Sequence, residues 1–201
     1  MLFKAQYLPL CITYAISHSM QLMAESGDTR YQCYFMETDD LNDPAGLEMM
    51  LDARRLDFPY AISEGTRKAG IDILRATLND PDQASFILWD SQNKEVVGRS
   101  IITYLSVSAD NTPEITGLFV KPALQGQHLV DVLYEGQIFA LSEAGYGAAK
   151  VIISRENMRS VNAATRNGFY PIPSDASGGL YLKKTIKQSP GVANALNIQS
   201  A

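Results

Sequence analysis

The chain has 201 residues, 46% of them hydrophobic and 19% charged, with a net charge of −5 and an isoelectric point near 5.0. That length fits one domain with short extensions and can bury a substantial core. The acidic balance excludes a basic nucleic-acid-binding stripe: positive charge clusters only in short runs such as Arg54-Arg55 and Lys183-Lys184, and short pairs of this kind are solvated surface charge. Nucleic acid is therefore not an expected partner. The two cysteines, Cys11 and Cys33, and the two histidines match no zinc-ligand spacing. The sequence thus predicts no metal site and two reduced thiols in a cytoplasmic protein.

In chain order, residues 1–16 (MLFKAQYLPLCITYAI) hold one lysine and an apolar run broken by Gln6, Pro9 and Thr13. A membrane-spanning helix needs about 20 apolar residues, so no membrane partner is expected. The run imitates a secretory signal only weakly, because no small-residue cleavage site follows; secretion is the alternative to a cytoplasmic location. Residues 1–26 read as an N-terminal appendage, 27–187 as the domain, and 188–201 as a flexible tail.

Tyr31–Met36 predicts a first strand. Asp43 as cap and Pro44 as first helical residue open a helix carrying Leu47, Met50, Leu51 and Arg54 at helical spacing, stopped by Pro59. Ser63 to Thr66 open a second helix with Ile71, Leu74 and Leu78 on its apolar face, ended by the turn Asn79 to Asp82. Ala84–Trp89 and Glu95–Val107 read as a hairpin about a polar turn. Glu114–Val120 is a third strand, with Gly117 marking a bulge or a close approach. Leu129–Ala144 is an amphipathic helix with Leu129, Val132, Leu133, Ile138 and Leu141 as its apolar set. A strand at Lys150–Ser154, a helix at Asn157–Asn167 and two last strands, Phe169–Ile172 and Leu180–Ile186, complete an α/β order with no internal repeat.

Four motifs in this order resemble the GNAT acyltransferase superfamily. Glu114 to Pro122 (EITGLFVKP) is similar to its fourth strand, and Gln125-Gly126-Gln127 to the start of its pyrophosphate loop. The helix ending at Gly145 and followed by Val151-Ile152-Ile153 continues the pattern. The string ENMRSVNAATRNGF, with Asn157, Ser160 and Gly168-Phe169, is similar to the family's Asn-x-x-Ser/Ala helix and carries the resemblance most strongly. The resemblance implies an α/β GNAT fold, a mostly antiparallel twisted sheet flanked by helices, with the family's fourth and fifth strands splayed apart.

It further implies acetyl-CoA as co-substrate and acyl transfer to a primary amine of a small molecule, peptide or protein. Leu118, Phe119 and Val120 would border the pantetheine. Gln125, Gly126, Gln127, His128, Leu129 and Val130 would surround the pyrophosphate, where free N–H groups at a helix N-terminus favour an anion. Asn157 and Ser160 would meet the cofactor from the last helix, and Glu114 would serve as general base. Asn157 is also a good N-cap by residue type. The chain departs from the family loop, in which small residues stand at the positions of His128 and Val130, and Ala164 stands where many members carry a tyrosine acid. An amine-bearing acceptor is the expected partner, with a homodimer as the candidate assembly. The alternatives are a catalytically inactive binding or regulatory protein of the same fold, and a secreted protein carrying it.

Overall fold

Strand β3 (Gln83–Asp90) sets the layering, because its period-two alternation sends side chains to both faces. Ala84, Phe86 and Leu88 enter one core, while Ile87 enters a second core and Trp89 packs against it. The computed structural model describes residues 21–42, 44–55, 64–80, 82–104, 112–173 and 179–187. The signal-like run, the cap at Asp43, the stop at Pro59, Cys11 and the tail lie outside the described residues.

The sheet has eight strands in the order β1-β2-β3-β4-β5-β6-β8-β7. These are β1 (Gln21–Glu25), β2 (Tyr31–Met36), β3, β4 (Glu95–Thr103), β5 (Glu114–Val120), β6 (Ala148–Ser154), β7 (Tyr170–Pro171) and β8 (Gly179–Thr185). All neighbours are antiparallel except β5 and β6. Helices α1 (Pro44–Arg55) and α2 (Glu64–Asn79) cover one face, where Met50, Ala53 and Leu78 meet Met36, Ile87 and Val96. Helix α3 (Leu129–Glu143) covers the other, burying Leu133 and Leu141 completely. Helix α4 (Met158–Arg166) seats Ala164 in this second layer, and Tyr134 meets Phe169 at a ring distance of 5.2 Å. Trp89 and Tyr104 both pack into the fold, Tyr104 stacking on Tyr146 at 5.6 Å.

Strand β1 falls within the stretch read as an appendage, yet it pairs with β2 and buries Met23. At the other end, Asp90 fastens the β3–β4 turn. Its buried carboxylate accepts from Arg30 Nη2 at 2.7 Å, from Gln92 N at 2.9 Å and from Asn93 N at 3.1 Å. The hydrogen bond from Arg30, assisted by those from the turn, holds this carboxyl at about 2 against the effect of burial.

Candidate active site

Two irregularities in β5 make the site. The first is a bulge. Pairing with β4 runs Ile101↔Thr116 and then Arg99↔Phe119, so Gly117 and Leu118 stand opposite the single residue Ser100. Gly117 takes φ +58°, a conformation that glycine adopts without strain, and mid-strand it turns the chain out of the ladder. The second is the splay. β5 and β6 share one register position, Glu114↔Lys150, supported by Lys150 N donating to Pro113 O at 2.9 Å. Beyond it the strands part, which leaves backbone groups on their facing edges without ladder partners.

The chain then turns sharply after β5. Pro122 opens a 3-10 turn to Leu124, and Gln125 Nε2 folds back to donate to Val120 O at 3.1 Å. Gly126 has φ +90°, and a Cβ there would meet nothing within 4 Å; the backbone path, not space, asks for glycine. His128 caps α3 at φ +61° with an exposed ring, its Nδ1 3.5 Å from Asp131 Oδ2. The first-turn N–H groups of α3 therefore point into the space beside this loop.

That space is a cleft of about 610 Å³ between β5 and β6. Leu118, Phe119 and Val120 line it from β5, and Gln125, Gly126, His128, Leu129 and Val130 from the loop and the start of α3. Asn157 and Ser160 line it from α4. Gln127 is exposed and stands outside this lining. Asn157 accepts from Ser160 N at 3.2 Å as the N-cap, so its Oδ1 is committed to the helix and its amide nitrogen is the atom left for a ligand. Glu114 is not in the cleft wall; it sits half-buried where the splay closes, beside Lys150. Burial pushes its carboxyl above the ordinary value, and the Lys150 charge works against that rise.

Tyr134, Arg159 and Arg166 are among the lining residues that the sequence reading did not assign to the cleft. Tyr134 is almost fully buried and borders the cleft from α3; burial raises its phenol to about 12, so it is protonated at neutral pH. Arg159 and Arg166 line the cleft from α4. Arg166 is held by Asp131 through Nε at 3.0 Å and Nη2 at 2.8 Å. Burial pushes the Asp131 carboxyl up, but hydrogen bonds from Arg166 and Asn167 outweigh it and bring it below its usual range. Arg159 reaches across the mouth and donates to Gln125 Oε1. The signal for both lies in their spacing: Arg159, Ala163 and Arg166 at i, i+4 and i+7 share one helix face, and all three line the cleft. Among the described residues, no group of three His, Cys, Asp or Glu side chains could hold a metal ion, and no helix is long and apolar enough to cross a membrane.

The arrangement suits a long, flexible ligand with an anionic end. The Gly126 loop, the α3 N-terminus and Arg159 would receive the anionic end, the unpaired strand edges the middle, and the bulge and Glu114 lie at the far end. Comparison with known proteins identifies the family and the fold. The acetyltransferase (GNAT) family model matches residues 47–169, more than half of the chain. No curated protein matches by sequence. Among solved structures, the Campylobacter jejuni N-acetyltransferase PseH in complex with acetyl coenzyme A is similar at 15% identity and a TM-score of 0.55, over 77% of this chain and 99% of that one. The ribosomal-protein-S5-alanine acetyltransferase of Vibrio fischeri is similar at 11% identity and a TM-score of 0.54, over 79% and 94%. The PaiA N-acetyltransferase of Thermoplasma acidophilum in complex with coenzyme A follows at 14% and 0.51, over 77% and 98%. At these identities the likeness is one of fold.

Proposed function

This chain belongs to the GNAT family of acetyltransferases, and from that premise we propose that it transfers an acetyl group from acetyl-CoA to a primary amine. The observation that supports this best is the cleft that follows the single β5–β6 register position. Its length of unpaired strand edge suits the amides of pantetheine. Its mouth offers the pyrophosphate the backbone of Gln125 to Val130 and the N-terminus of α3. Arg159 adds a side-chain charge there, which Gln125 already positions.

The chemistry assigned to the chain is direct transfer. Glu114 takes the proton from the acceptor ammonium, through water where the distance requires it. The amine nitrogen then attacks the thioester carbonyl carbon; the C–N bond forms and the C–S bond breaks. Backbone N–H groups near Val120 stabilise the negative charge on the carbonyl oxygen. The nitrogen gives up its second proton to solvent as the carbonyl re-forms, and the departing thiolate takes a proton from solvent, because Ala164 is sealed in the core and offers none. The loop residues His128, at φ +61°, and Val130 favour the second reading, a catalytically inactive binding or regulatory protein of the same fold.

A thermal-shift titration tests the first step. Acetyl-CoA should stabilise the protein by about 2.7 kcal/mol at a hundredfold excess over Kd, and Arg159→Gln should reduce the shift. No shift with any acyl-CoA at millimolar concentration would remove the proposal. Thiol release across a panel of amines then separates an enzyme from a binding module.

A further inference from the structure

A phenol stands on the inner wall of the cleft, unused by the transfer step. β5 and β6 are parallel neighbours joined through α3, so the helix runs back antiparallel to both. It begins at Leu129, which shares the core and the cleft wall with Val120 at the end of β5. Tyr134 comes five residues further on, about 7.5 Å down the helix axis. That depth is about two residues of strand, so Tyr134 stands level with the bulge at Gly117 and Leu118. Side chains on a helix lean towards its N-terminus, which brings the phenol back from the bulge towards Val120. This is the stretch of cleft in which the thioester is placed.

The ring is held and the hydroxyl is not. Tyr134 is 4% exposed and packs on Phe169 at 5.2 Å, and Phe169 is tied to α4 by its N–H, which donates to Ala164 O at 3.1 Å. Among the described residues no hydrogen bond engages the Tyr134 hydroxyl. A buried hydroxyl without a partner is costly, and the open space that Tyr134 borders is the cleft. Ile115, Leu129, Val151 and Ile153 make the wall around it aliphatic, and in such surroundings a hydrogen bond to an anion is stronger than in water. The cleft receives one anion at its mouth, the pyrophosphate beside Arg159. The other is the thiolate sulfur, which appears only as the C–S bond breaks. Burial, with the Asp131 charge, raises the phenol to about 12, whereas a thiol ordinarily titrates at about 8.5. Tyr134 therefore donates a hydrogen bond to such a sulfur and keeps its proton.

We infer that the Tyr134 hydroxyl receives the leaving group: it donates a hydrogen bond to the sulfur as the C–S bond breaks, and the proton that turns thiolate into thiol still comes from solvent. This rests on the acyl-transfer reading above. The test compares the full chain with Tyr134→Phe, which keeps the ring and its packing on Phe169. CoA bound to each protein is titrated with pH through the ultraviolet absorbance of its thiolate, with desulfo-CoA as the blank. The bound thiol should titrate about one to two pH units lower on the wild type than on the variant. With a responsive amine and saturating acetyl-CoA, the variant's kcat should fall about ten- to a hundredfold while the KM for acetyl-CoA stays unchanged. An unchanged kcat, or a bound thiol that titrates alike on both proteins, overturns the inference. Equal weakening of CoA and desulfo-CoA binding, with the thiol unmoved, gives the hydroxyl to the pantetheine arm and overturns it too. Failure of the wild type to bind either ligand overturns both this inference and the reading it rests on. The titration needs no acceptor, so a lowered thiol pKa without turnover for any amine overturns acyl transfer and leaves the contact with sulfur standing.

Discussion

Glu114 and Asp90 are carboxylates whose environments push them in opposite directions. Burial raises the Glu114 carboxyl, with Lys150 opposing; a base that ionises closer to neutrality is better matched to taking a proton from an amine. Glu114→Gln should lower turnover by about a hundredfold to ten-thousandfold while leaving the affinity for acetyl-CoA unchanged. The wild-type rate should climb with pH as Glu114 ionises. The deficit of the mutant should shrink at high pH, where the amine arrives already neutral. A mutant as fast as wild type over the whole pH range would reduce Glu114 to a strand-edge carboxylate. Asp90 behaves conversely: its carboxyl is lowered from 3.8 to about 2, chiefly by Arg30. Its contribution to stability is therefore complete above pH 4 and lost as the pH falls towards 2. Asp90→Asn should cost roughly 2–3 kcal/mol near neutral pH, and the mutant's denaturation midpoint should fall less steeply than that of wild type across that acid window.

Among the elements, the β5–loop–α3 unit shows how a departure from the family pattern is accommodated. His128 takes the left-handed backbone conformation, φ +61°, although it is not glycine, and that conformation costs an L-residue about 1–2 kcal/mol. His128→Gly should relieve it; after the extra freedom gained by the unfolded chain, a net gain of about 0.5–1 kcal/mol should appear in chemical denaturation. A loss of stability would mean that the Asp131 contact of the imidazole outweighs the strain. Val130 is a poorer target, because it packs against the core in the first turn of α3, where glycine weakens a helix.

Much of this element order was legible. Glu114–Val120 was read with its observed bounds, and α3 and α4 within a residue or two, because each combines apolar periodicity with a stop signal such as Gly145 or Gly168. β1 was not legible: Gln21–Glu25 has no β-branched residue and buries only Met23, so its strand state comes from pairing with β2. The cleft residues Arg159 and Arg166 were missed because a polar stripe on a short helix looks like a solvated face until the splay shows what it borders. Glu114 was legible as a residue, but its place at the closed end of the splay depends on the β5–β6 register, which no local pattern encodes.

For the whole molecule, the junction between β5 and β6 is the thinnest in the sheet. β6 and β8 share seven register positions, whereas β5 and β6 share one. The sheet is in effect two plates, β1 to β5 and β6-β8-β7, pinned at Glu114↔Lys150 and laid over the common core of α3. Hydrogen exchange should register this division: in the free protein the amides on the facing edges of β5 and β6 exchange fastest among the central strands, and saturating acetyl-CoA slows them selectively. Uniform protection of both strands without ligand would contradict it. If the edges behave as expected, the ligand takes the part of a missing strand. Acetyl-CoA would then link two folding units as well as feed the reaction, so that loss of the co-substrate would lower the cooperativity of unfolding as well as its midpoint.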